Sequence, residues 1–189
     1  MLRGLIIKGI STILIVIGFQ CVYAHSNFAR KSGDCFEKNL TIKRKVFPAN
    51  LGVVTDFEHI FTPKQIQKIT RRIQEIKSST GTEIAVVSLD STYCNTKNFD
   101  GYVLQLANFW GVGDAKLDNG ILIGVSKQFR KIRICNGLGI ETILSNEQTK
   151  EIMDKNMIPK FKKNKYFRGI MNCLDAFETH FLTHQIVVV

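Results

Sequence analysis

The stretch that decides the fold is residues 117–136, LDNGILIGVSKQFRKIRICN. Its apolar run 121–125 is rich in β-branched residues, which predicts a strand buried on both faces. The segment 131–135, KIRIC, alternates polar and apolar side chains, as a strand with one solvated face does. Because only the short polar turn 126–130 separates them, the two strands most simply pair as an antiparallel hairpin.

The residues before this hairpin predict two helices and another strand. Thr62-Pro63-Lys64-Gln65 forms a capping box with proline at the first helical position, and isoleucines then recur at helical spacing up to Gly81. The run 83–89, EIAVVSL, predicts a buried strand, and 99–110 predicts an amphipathic helix that ends at Gly111. Helix and strand therefore alternate as the chain approaches the hairpin.

The residues after the hairpin predict two more helices. Ser145-Asn146-Glu147-Gln148 is a second capping box, and the helix that it opens is interrupted at Pro159. The last helix has apolar residues at helical spacing between Ile170 and Phe181. Helices that alternate with a few apolar strands predict an α/β fold, a three-layer α/β/α sandwich with a mixed sheet that contains a hairpin.

The first 24 residues have the pattern of a signal peptide. Basic residues flank the start of the apolar segment 10–19, and residues 22–24 (VYA) place small side chains where a signal peptidase reads them. A retained membrane anchor is the alternative, although the apolar run is shorter than the ~20 residues of a spanning helix. We expect a flexible basic arm at 25–45, one domain at 46–184, a tail at 185–189, and an exported, periplasmic or secreted protein.

The chain is basic, with 26 lysines and arginines against 16 acidic residues and a net charge of +10. Without the predicted leader, 24 basic and 16 acidic residues leave a net charge of +8. In an exported protein this charge favours anionic lipid, cell-wall polymer or an acidic envelope protein as partner, and no nucleic acid. The remaining cysteines fit no zinc pattern and allow disulfides without specifying them; Cys135 and Cys173 are expected to be buried small residues.

Three carboxylates lie beside predicted strand ends or helix starts. Asp118 precedes the strand 121–125, Glu141 follows the hairpin, and Asp56 lies in the loop before the first helix. Clefts form at strand ends in α/β sandwiches, which allows these carboxylates to converge, and nearby glycines let backbone carbonyls approach a ligand. The alternative is structural, because Asp-Asn-Gly is also the sequence of a tight turn. Trp110 has a similar pair of interpretations, ligand stacking or core packing.

Five ordered motifs resemble the TPM domain family, which includes thylakoid lumen proteins linked to photosystem II repair. They are Trp110-Gly111-Val112-Gly113, Asp118-Asn119-Gly120-Ile121-Leu122, Arg130-Lys131-Ile132-Arg133-Ile134, Gly137-Leu138-Gly139-Ile140-Glu141 and Ile158-Pro159-Lys160-Phe161. The resemblance covers about 46–182 and implies an exported α/β/α module whose acidic pocket binds calcium in some members, and a weak acid phosphatase activity in the thylakoid branch.

The resemblance also implies site residues. Asp118 matches the aspartate of the Asp-Asn-Gly motif, Glu141 matches the acidic residue after the Gly-x-Gly turn, and Asp56 matches the acidic residue before the first helix. With Asn119 and glycine-flanked carbonyls, these residues form the candidate ligand set for calcium. The chain departs from the family where a glycine and an aspartate usually follow that glutamate, because it has Thr142 and Asn146 there.

Three functions follow from these patterns. The first is a non-catalytic, calcium-binding accessory or interaction domain of the cell envelope, with a Kd of about 10⁻⁴ to 10⁻³ M. The second is a weak phosphate-ester hydrolase that uses the same pocket, although no histidine and no glycine-rich phosphate loop lies in the motif region, so no catalytic residue is assigned. The third is docking of a basic, aromatic surface on anionic lipid or an acidic partner, the alternative being a solvated helix end. Its basic residues are Lys160, Lys162, Lys163, Lys165 and Arg168.

Overall fold

A computed structural model describes residues 47–184, and the predicted leader, the whole predicted arm and the tail lie outside that range. Four strands form one sheet in the order β1-β2-β3-β4. They are β1 (Val54–Asp56), β2 (Glu83–Ser88), β3 (Gly120–Ser126) and β4 (Lys131–Asn136). The first three are parallel, and β4 is antiparallel to β3 with Ser126 opposite Lys131. The predicted hairpin and the mixed sheet are therefore confirmed.

Six α-helices and one π-helix complete the part of the chain that the structure describes. They are α1 (Pro63–Thr80), α2 (Phe99–Trp110), α3 (Leu138–Glu141), α4 (Asn146–Ile152), a π-helix (Met153–Met157), α5 (Ile158–Phe161) and α6 (Tyr166–His184). Both predicted capping boxes are present, at Thr62 and at Ser145. Between residues 47 and 184, none of these helices is long and apolar enough to cross a membrane.

The structure differs from the sequence prediction at three short elements. The sequence did not predict β1 or α3, because segments of three and four residues are too short to show a period. Pro159 was expected to interrupt a helix, but it lies in the first turn of α5, directly after the π-helix. A proline costs little there, because the N–H that it lacks has no partner within the helix at that position.

Apolar side chains cover both faces of the sheet, as the three-layer prediction requires. One face packs against α1 and α6 through Ile69, Ile123 and Phe177, and the other packs against α2 through Val87 and Tyr102. The crossover from β1 to β2 runs through α1, and the crossover from β2 to β3 runs through α2. Both crossovers connect parallel neighbours in the same direction across the sheet, but α1 and α2 lie on opposite faces, so the two crossovers have opposite hands. One crossover is therefore left-handed, an arrangement found in about 2% of such connections.

The sheet has two edges that matter for function. We call the amino edge the side where β2 and β3 begin and β4 ends, at Glu83, Gly120 and Asn136. The carboxyl edge is the opposite side, where β1, β2 and β3 end at Asp56, Ser88 and Ser126. With a rise of about 3.3 Å per residue, the length of β3 separates the two edges by about 20 Å.

An ion-pair cluster joins α1 to α6. The Arg72 side chain is only 19% exposed, and its Nε lies 2.8 Å from Oδ1 of Asp175. Its Nη2 bonds Glu178, which also accepts a hydrogen bond from Ser79 at 3.0 Å. The Arg72 hydrogen bond is the main reason that the pKa of Glu178 is lowered from its ordinary value. The cluster therefore stabilises the helix pair while Glu178 is ionised.

We expect Arg72→Met to lower the free energy of unfolding at pH 7 by about 1–2 kcal/mol, because the charged hydrogen bonds to Asp175, Glu178 and Glu75 are lost at a largely covered site. The contribution of Glu178, whose folded pKa is lowered, is complete above its unfolded pKa and is lost as the pH falls through the folded pKa. The difference from wild type should therefore shrink between pH 7 and about pH 3.5, which urea unfolding at both values measures. Lys155→Met, which removes an exposed pair, should change stability by less than about 0.5 kcal/mol. A difference for Arg72→Met that stays constant with pH would contradict this account.

Candidate functional site

A cavity of about 290 Å³ lies at the amino edge, between the end of α2 and the loops before β3 and after β4. Its polar lining residues are Asn108, Asp114, Asp118 and Asn136, and no arginine, lysine or histidine lines it. Glycines at 111, 113, 120 and 137 supply much of the remaining wall. The site is therefore an acidic pocket with a high proportion of exposed backbone.

The Asp118 carboxylate is the free acidic group of this pocket. The Asp118 backbone is left-handed, with φ of 47°, and three hydrogen bonds fix it: its N–H donates to the Asp114 carbonyl at 2.8 Å, and its carbonyl accepts from Gly139 at 3.1 Å and Ile140 at 3.4 Å. Its side chain is exposed and makes no hydrogen bond or ion pair with residues 47–184. A locked backbone thus presents a carboxylate that the described part of the protein does not use.

Backbone-to-backbone packing holds the three loops of the pocket together. A Cβ on Gly120 would lie 1.8 Å from the Val112 carbonyl oxygen, and a Cβ on Gly137 would lie 2.2 Å from the Asp118 carbonyl oxygen. Any side chain at either position would push the loops apart. Because these glycines lack a side chain, the carbonyl groups of neighbouring loops can pack directly against them. Their first role is therefore to let the loops form a continuous pocket wall.

The Asn119 side chain joins two of these loops. Its Oδ1 accepts a hydrogen bond from the Asp114 N–H at 2.8 Å, and its Nδ2 donates to the Gly81 carbonyl at 2.7 Å. Both ends of the amide are therefore engaged in the loop structure. Asn119 was predicted as a metal ligand. It does not line the cavity, and its side chain instead holds together the loops that contain Asp114 and Gly81.

Glu141 lies at the same edge as Asp118 but outside the cavity lining. It ends α3, whose residues Gly139 and Ile140 donate to the Asp118 carbonyl, so the two loops are in direct contact. The Glu141 carboxylate is exposed and accepts a hydrogen bond from Asn146 Nδ2 at 3.4 Å. At Asn146, where the resemblance implied an aspartate, the chain thus places an amide and not a second carboxylate beside Glu141.

The expected convergence of Asp56 with Asp118 is wrong. Asp56 ends β1 at the carboxyl edge, while Asp118 precedes β3 at the amino edge, about 20 Å away along parallel strands. Its carboxylate accepts hydrogen bonds from the N–H groups of Ile60 at 3.1 Å and Phe61 at 2.8 Å, and from the Ser88 hydroxyl. Asp56 therefore fixes the loop that leads into α1.

Sequence reasoning missed Asp114 and Asn108 as pocket residues. Asp114 Oδ1 accepts from the N–H groups of Lys116 at 2.8 Å and Leu117 at 3.2 Å, which is the local turn of an aspartate in a loop. Its place four residues before Asp118 in a glycine-rich loop was the available signal. Trp110 is half-buried against the α2 core and donates from Nε1 to the Pro48 carbonyl at 2.8 Å, which favours the packing interpretation.

The donor set of the pocket fits a hard cation only weakly. Asp118 and Asp114 supply carboxylate oxygens and Asn108 supplies an amide oxygen, but within residues 47–184 no three His, Cys, Asp or Glu side chains converge as a metal cluster. The thiol of Cys135, which also lines the cavity, is buried, and burial raises its pKa. Cys94, Cys135 and Cys173 are all buried, as predicted for the latter two.

The predicted basic residues lie around the α5–α6 corner, which we call the basic corner: Lys160, Lys162, Lys163, Lys165 and Arg168. None of them forms an ion pair with any residue that the structure describes. Lys162 lines one cavity there, and Lys165 and Arg168 line another. The basic corner is adjacent to the carboxyl edge, so it is separate from the Asp118 pocket.

Comparisons with known proteins agree with this fold. The family model for the TPM domain matches residues 54–180. The solution structure of the N-terminal domain of a protein from P. gingivalis is 30% identical, with 68% of this chain and 80% of that chain covered and a TM-score of 0.60. No curated protein is significantly similar to this chain.

Two more distant solution structures share the fold. The BA42 protein of Bizionia argentinensis is 18% identical, with 68% of this chain and 86% of that chain covered and a TM-score of 0.56. The N-terminal domain of the cg2496 protein of Corynebacterium glutamicum is 13% identical, with 77% and 92% covered and a TM-score of 0.54. The family model spans about two thirds of the chain and includes the Asp118 pocket, and on this evidence the protein belongs to the TPM domain family.

Proposed function

We propose that this protein is a non-catalytic accessory module that binds a divalent cation, calcium, at the Asp118 pocket. The observation that carries the proposal is the Asp118 carboxylate, which is held by a locked left-handed backbone and has no partner among residues 47–184. Strained positions and unpaired charged groups cluster at binding sites. The resemblance to calcium-binding TPM domains points the same way.

The composition of the pocket sets the affinity that we expect. Calcium takes six to eight oxygen ligands at 2.3–2.6 Å, so two carboxylates leave most positions to amide oxygens, carbonyls and water. Asn146 beside Glu141 is a neutral amide, so it adds no charge at that side of the site. A Kd of about 10⁻⁴ to 10⁻³ M, the range of weak extracellular modules, follows from this small number of charged ligands.

Phosphate-ester hydrolysis fits the pocket less well than cation binding. A phosphoryl group in transfer needs cationic side chains or metal ions to balance its charge, and the cavity lining contains no arginine, lysine or histidine. Its acidic residues would repel a phosphate dianion. The one thiol of the lining, Cys135, is not an activated nucleophile, because burial raises its pKa.

We expect calcium to stabilise the protein through Asp118. With a Kd of 10⁻⁴ to 10⁻³ M, 10 mM calcium adds about 1.4 to 2.7 kcal/mol to the free energy of unfolding, which raises the thermal midpoint by roughly 3 to 11 °C. Asp118→Asn should remove this increase without lowering the midpoint in chelator, because asparagine also adopts the left-handed conformation. Differential scanning fluorimetry at constant ionic strength makes the measurement.

Glu151→Gln is the matched control, because it neutralises an exposed carboxylate on α4 outside the pocket. It should keep the calcium response of the wild type. An Asp118→Asn variant that responds to calcium as strongly as wild type would contradict the proposal.

We place this activity outside the cytoplasm, in the periplasm or in secreted form, because the first 24 residues have the pattern of an export leader. Two exposed apolar side chains flank the pocket, Leu117 (64% exposed) and Leu138 (71% exposed). Exposed apolar residues at a rim favour contact with another protein. A membrane-associated or envelope protein that docks over a calcium-loaded pocket fits both features.

A further inference from the structure

A second cavity, of about 480 Å³, lies at the carboxyl edge, at the opposite end of the sheet from Asp118. The turn of the β3–β4 hairpin forms one side, and the π-helix, α5 and the start of α6 form the other. In open α/β sheets, ligands bind most often outside the carboxyl ends of the strands. The π-helix, with Met153 in the wall, is a second feature that is frequent at functional sites.

Four polar side chains around this cavity have no partners in the described part of the protein. The side chains of Arg130, Lys162 and Asn164 make no hydrogen bond or ion pair with residues 47–184. The Tyr166 hydroxyl has no hydrogen-bond partner there either, and its pKa is raised, mainly by burial, so it remains a proton donor. The remaining lysine of the lining, Lys131, binds Asp100 at 3.1 Å and is not available.

The other walls of the cavity are apolar. They consist of Ile132, Met153, Ile158 and Phe161. The Phe161 ring packs against the Tyr166 ring with centroids 4.8 Å apart, which brings an aromatic face next to the free hydroxyl. The cavity therefore has one cationic, hydrogen-bonding side and one apolar side.

Two of these polar residues, Arg130 and Asn164, have a left-handed backbone conformation. Arg130 ends the hairpin turn with φ of 54°, and its N–H donates to the Lys127 carbonyl at 3.3 Å. Glycine or asparagine commonly occupies such a position, so a long cationic side chain there is a strained choice. Asn164, in the turn between α5 and α6, also has positive φ, 55°. Strain of this kind concentrates at ligand sites.

The acidic groups on the elements around the cavity, Glu58 and Asp154, are engaged in other interactions. Glu58 accepts from the N–H groups of Lys127 at 2.7 Å and Gln128 at 2.9 Å, and from the Ser126 hydroxyl at 3.3 Å. Asp154, on the π-helix, binds Lys150 at 2.6 Å. The charge of Glu58 still contributes to the raised pKa of Tyr166. Within residues 47–184, however, neither carboxylate forms an ion pair with Arg130, Lys162 or the rest of the basic corner, so cationic side chains outnumber acidic ones around the cavity.

We propose that this cavity binds an amphipathic anion, a phosphate or phosphate ester attached to an apolar group. Arg130 and Lys162 hold the phosphate, the Tyr166 hydroxyl donates a hydrogen bond to it, and the apolar walls cover the attached group. Lys165 and Arg168 extend the positive field beside the cavity and raise the local concentration of anions. A soluble phosphate ester and the head group of an anionic lipid share this chemistry.

The test titrates ¹⁵N-labelled protein with phenyl phosphate and follows the amide signals. Saturable shifts should concentrate at residues 130–132, 153 and 158–166, and phenyl phosphate should bind at least about fivefold more tightly than inorganic phosphate, because the apolar walls contribute to affinity. Equal affinity for the two probes, or shifts centred elsewhere, would overturn the proposal. In parallel, sedimentation with phosphatidylglycerol vesicles tests the lipid source.

Adjacent lysines give a matched pair of variants. Lys162 lines the cavity and Lys163 does not, although both are exposed. Lys162→Ala should weaken binding by about fivefold to tenfold, as loss of a charged hydrogen bond does, and Lys163→Ala by about twofold or less. Equal losses in the two variants would mean diffuse electrostatic attraction and would overturn the proposed site.

Two further variants separate binding from folding. Arg130→Gly should weaken phenyl phosphate binding by about fivefold to tenfold while the thermal midpoint does not fall, because glycine adopts the left-handed conformation freely. Tyr166→Phe removes only the hydroxyl and should weaken binding by about threefold. Binding by the ester without the vesicles assigns a soluble ligand, and binding by the vesicles assigns a lipid head group. Absence of binding in both arms would overturn the proposal.

Discussion

Gly120→Ala is expected to destabilise the protein by about 3 kcal/mol or more. The new Cβ would lie 1.8 Å from the carbonyl oxygen and 2.5 Å from the carbonyl carbon of Val112. Both are backbone atoms of a loop that cannot rotate away, so β3 and that loop must separate. Overpacking costs about 1–3 kcal/mol where side chains can adjust and more where they cannot. Urea unfolding, followed by circular dichroism, measures the loss.

Gly101→Ala is the control for this substitution. Gly101 lies in α2, and a Cβ there has no heavy atom within 4 Å beyond its chain neighbours and the helix backbone. Alanine in a helix should stabilise the protein by about 0.5–1 kcal/mol, so the same change has opposite signs at the two glycines. A Gly120→Ala variant within about 1 kcal/mol of wild type would show that the loops are not packed as described.

Phe177→Ala is expected to lower the free energy of unfolding by about 3–5 kcal/mol. Phe177 is fully buried where α6 meets the sheet and stacks on Phe181 with ring centroids 6.1 Å apart. Truncation removes the transfer free energy of the ring and leaves a cavity that a packed helix cannot fill. Since small domains are stable by only about 5–15 kcal/mol, this loss is a large fraction of the total.

Phe109→Ala tests the same chemistry at the surface. The Phe109 side chain is 61% exposed, and alanine is the better helix former, so we expect a loss below about 1 kcal/mol. If Phe177→Ala does not fold, Phe177→Leu keeps most of the volume and should cost less than about 2 kcal/mol. Equal stability of the Phe177→Ala and Phe109→Ala variants would contradict the assigned core.

The sequence predicted the framework of this fold because its signals are local. Capping boxes at Thr62 and Ser145 mark helix starts within four residues, and the apolar run of β3 and the alternation of β4 lie within seven and six residues. The side of the sheet on which α2 packs has no local signal, because it depends on the hand of a crossover. The three-residue β1 also has no local signal, since it is a strand only through its pairing with β2, which is distant in the sequence.

The candidate site was predictable only in part, for the same reason. Asp118 and Glu141 follow from motifs, and the chain direction in the hairpin brings both to the amino edge. The prediction that Asp56 joins this site is wrong because its position depends on the direction of β1, a strand that the sequence did not predict. Asn119 joins two loops through a hydrogen bond to Gly81, 38 residues away, and no pattern within the motif indicates that contact.

The two proposed sites lie at opposite ends of one sheet and differ in the charge of their lining residues. The lining of the amino-edge cavity has a free carboxylate and no lysine, arginine or histidine, whereas the carboxyl-edge cavity has free cations whose neighbouring carboxylates are already hydrogen-bonded. The two cavities therefore differ in charge. A chain with a net charge of +10 still offers one acidic pocket, which we take as the centre of its function.

The measurement that tests this central claim most directly is a calcium titration of ¹⁵N-labelled wild type and Asp118→Asn, followed by amide chemical shifts. We predict saturable shifts in the wild type that are confined to residues 108–120 and 137–141, with a Kd of about 10⁻⁴ to 10⁻³ M, and their loss in Asp118→Asn. Absence of saturable shifts in these loops, or the same shifts in both proteins, would contradict the account and leave Asp118 as a turn residue.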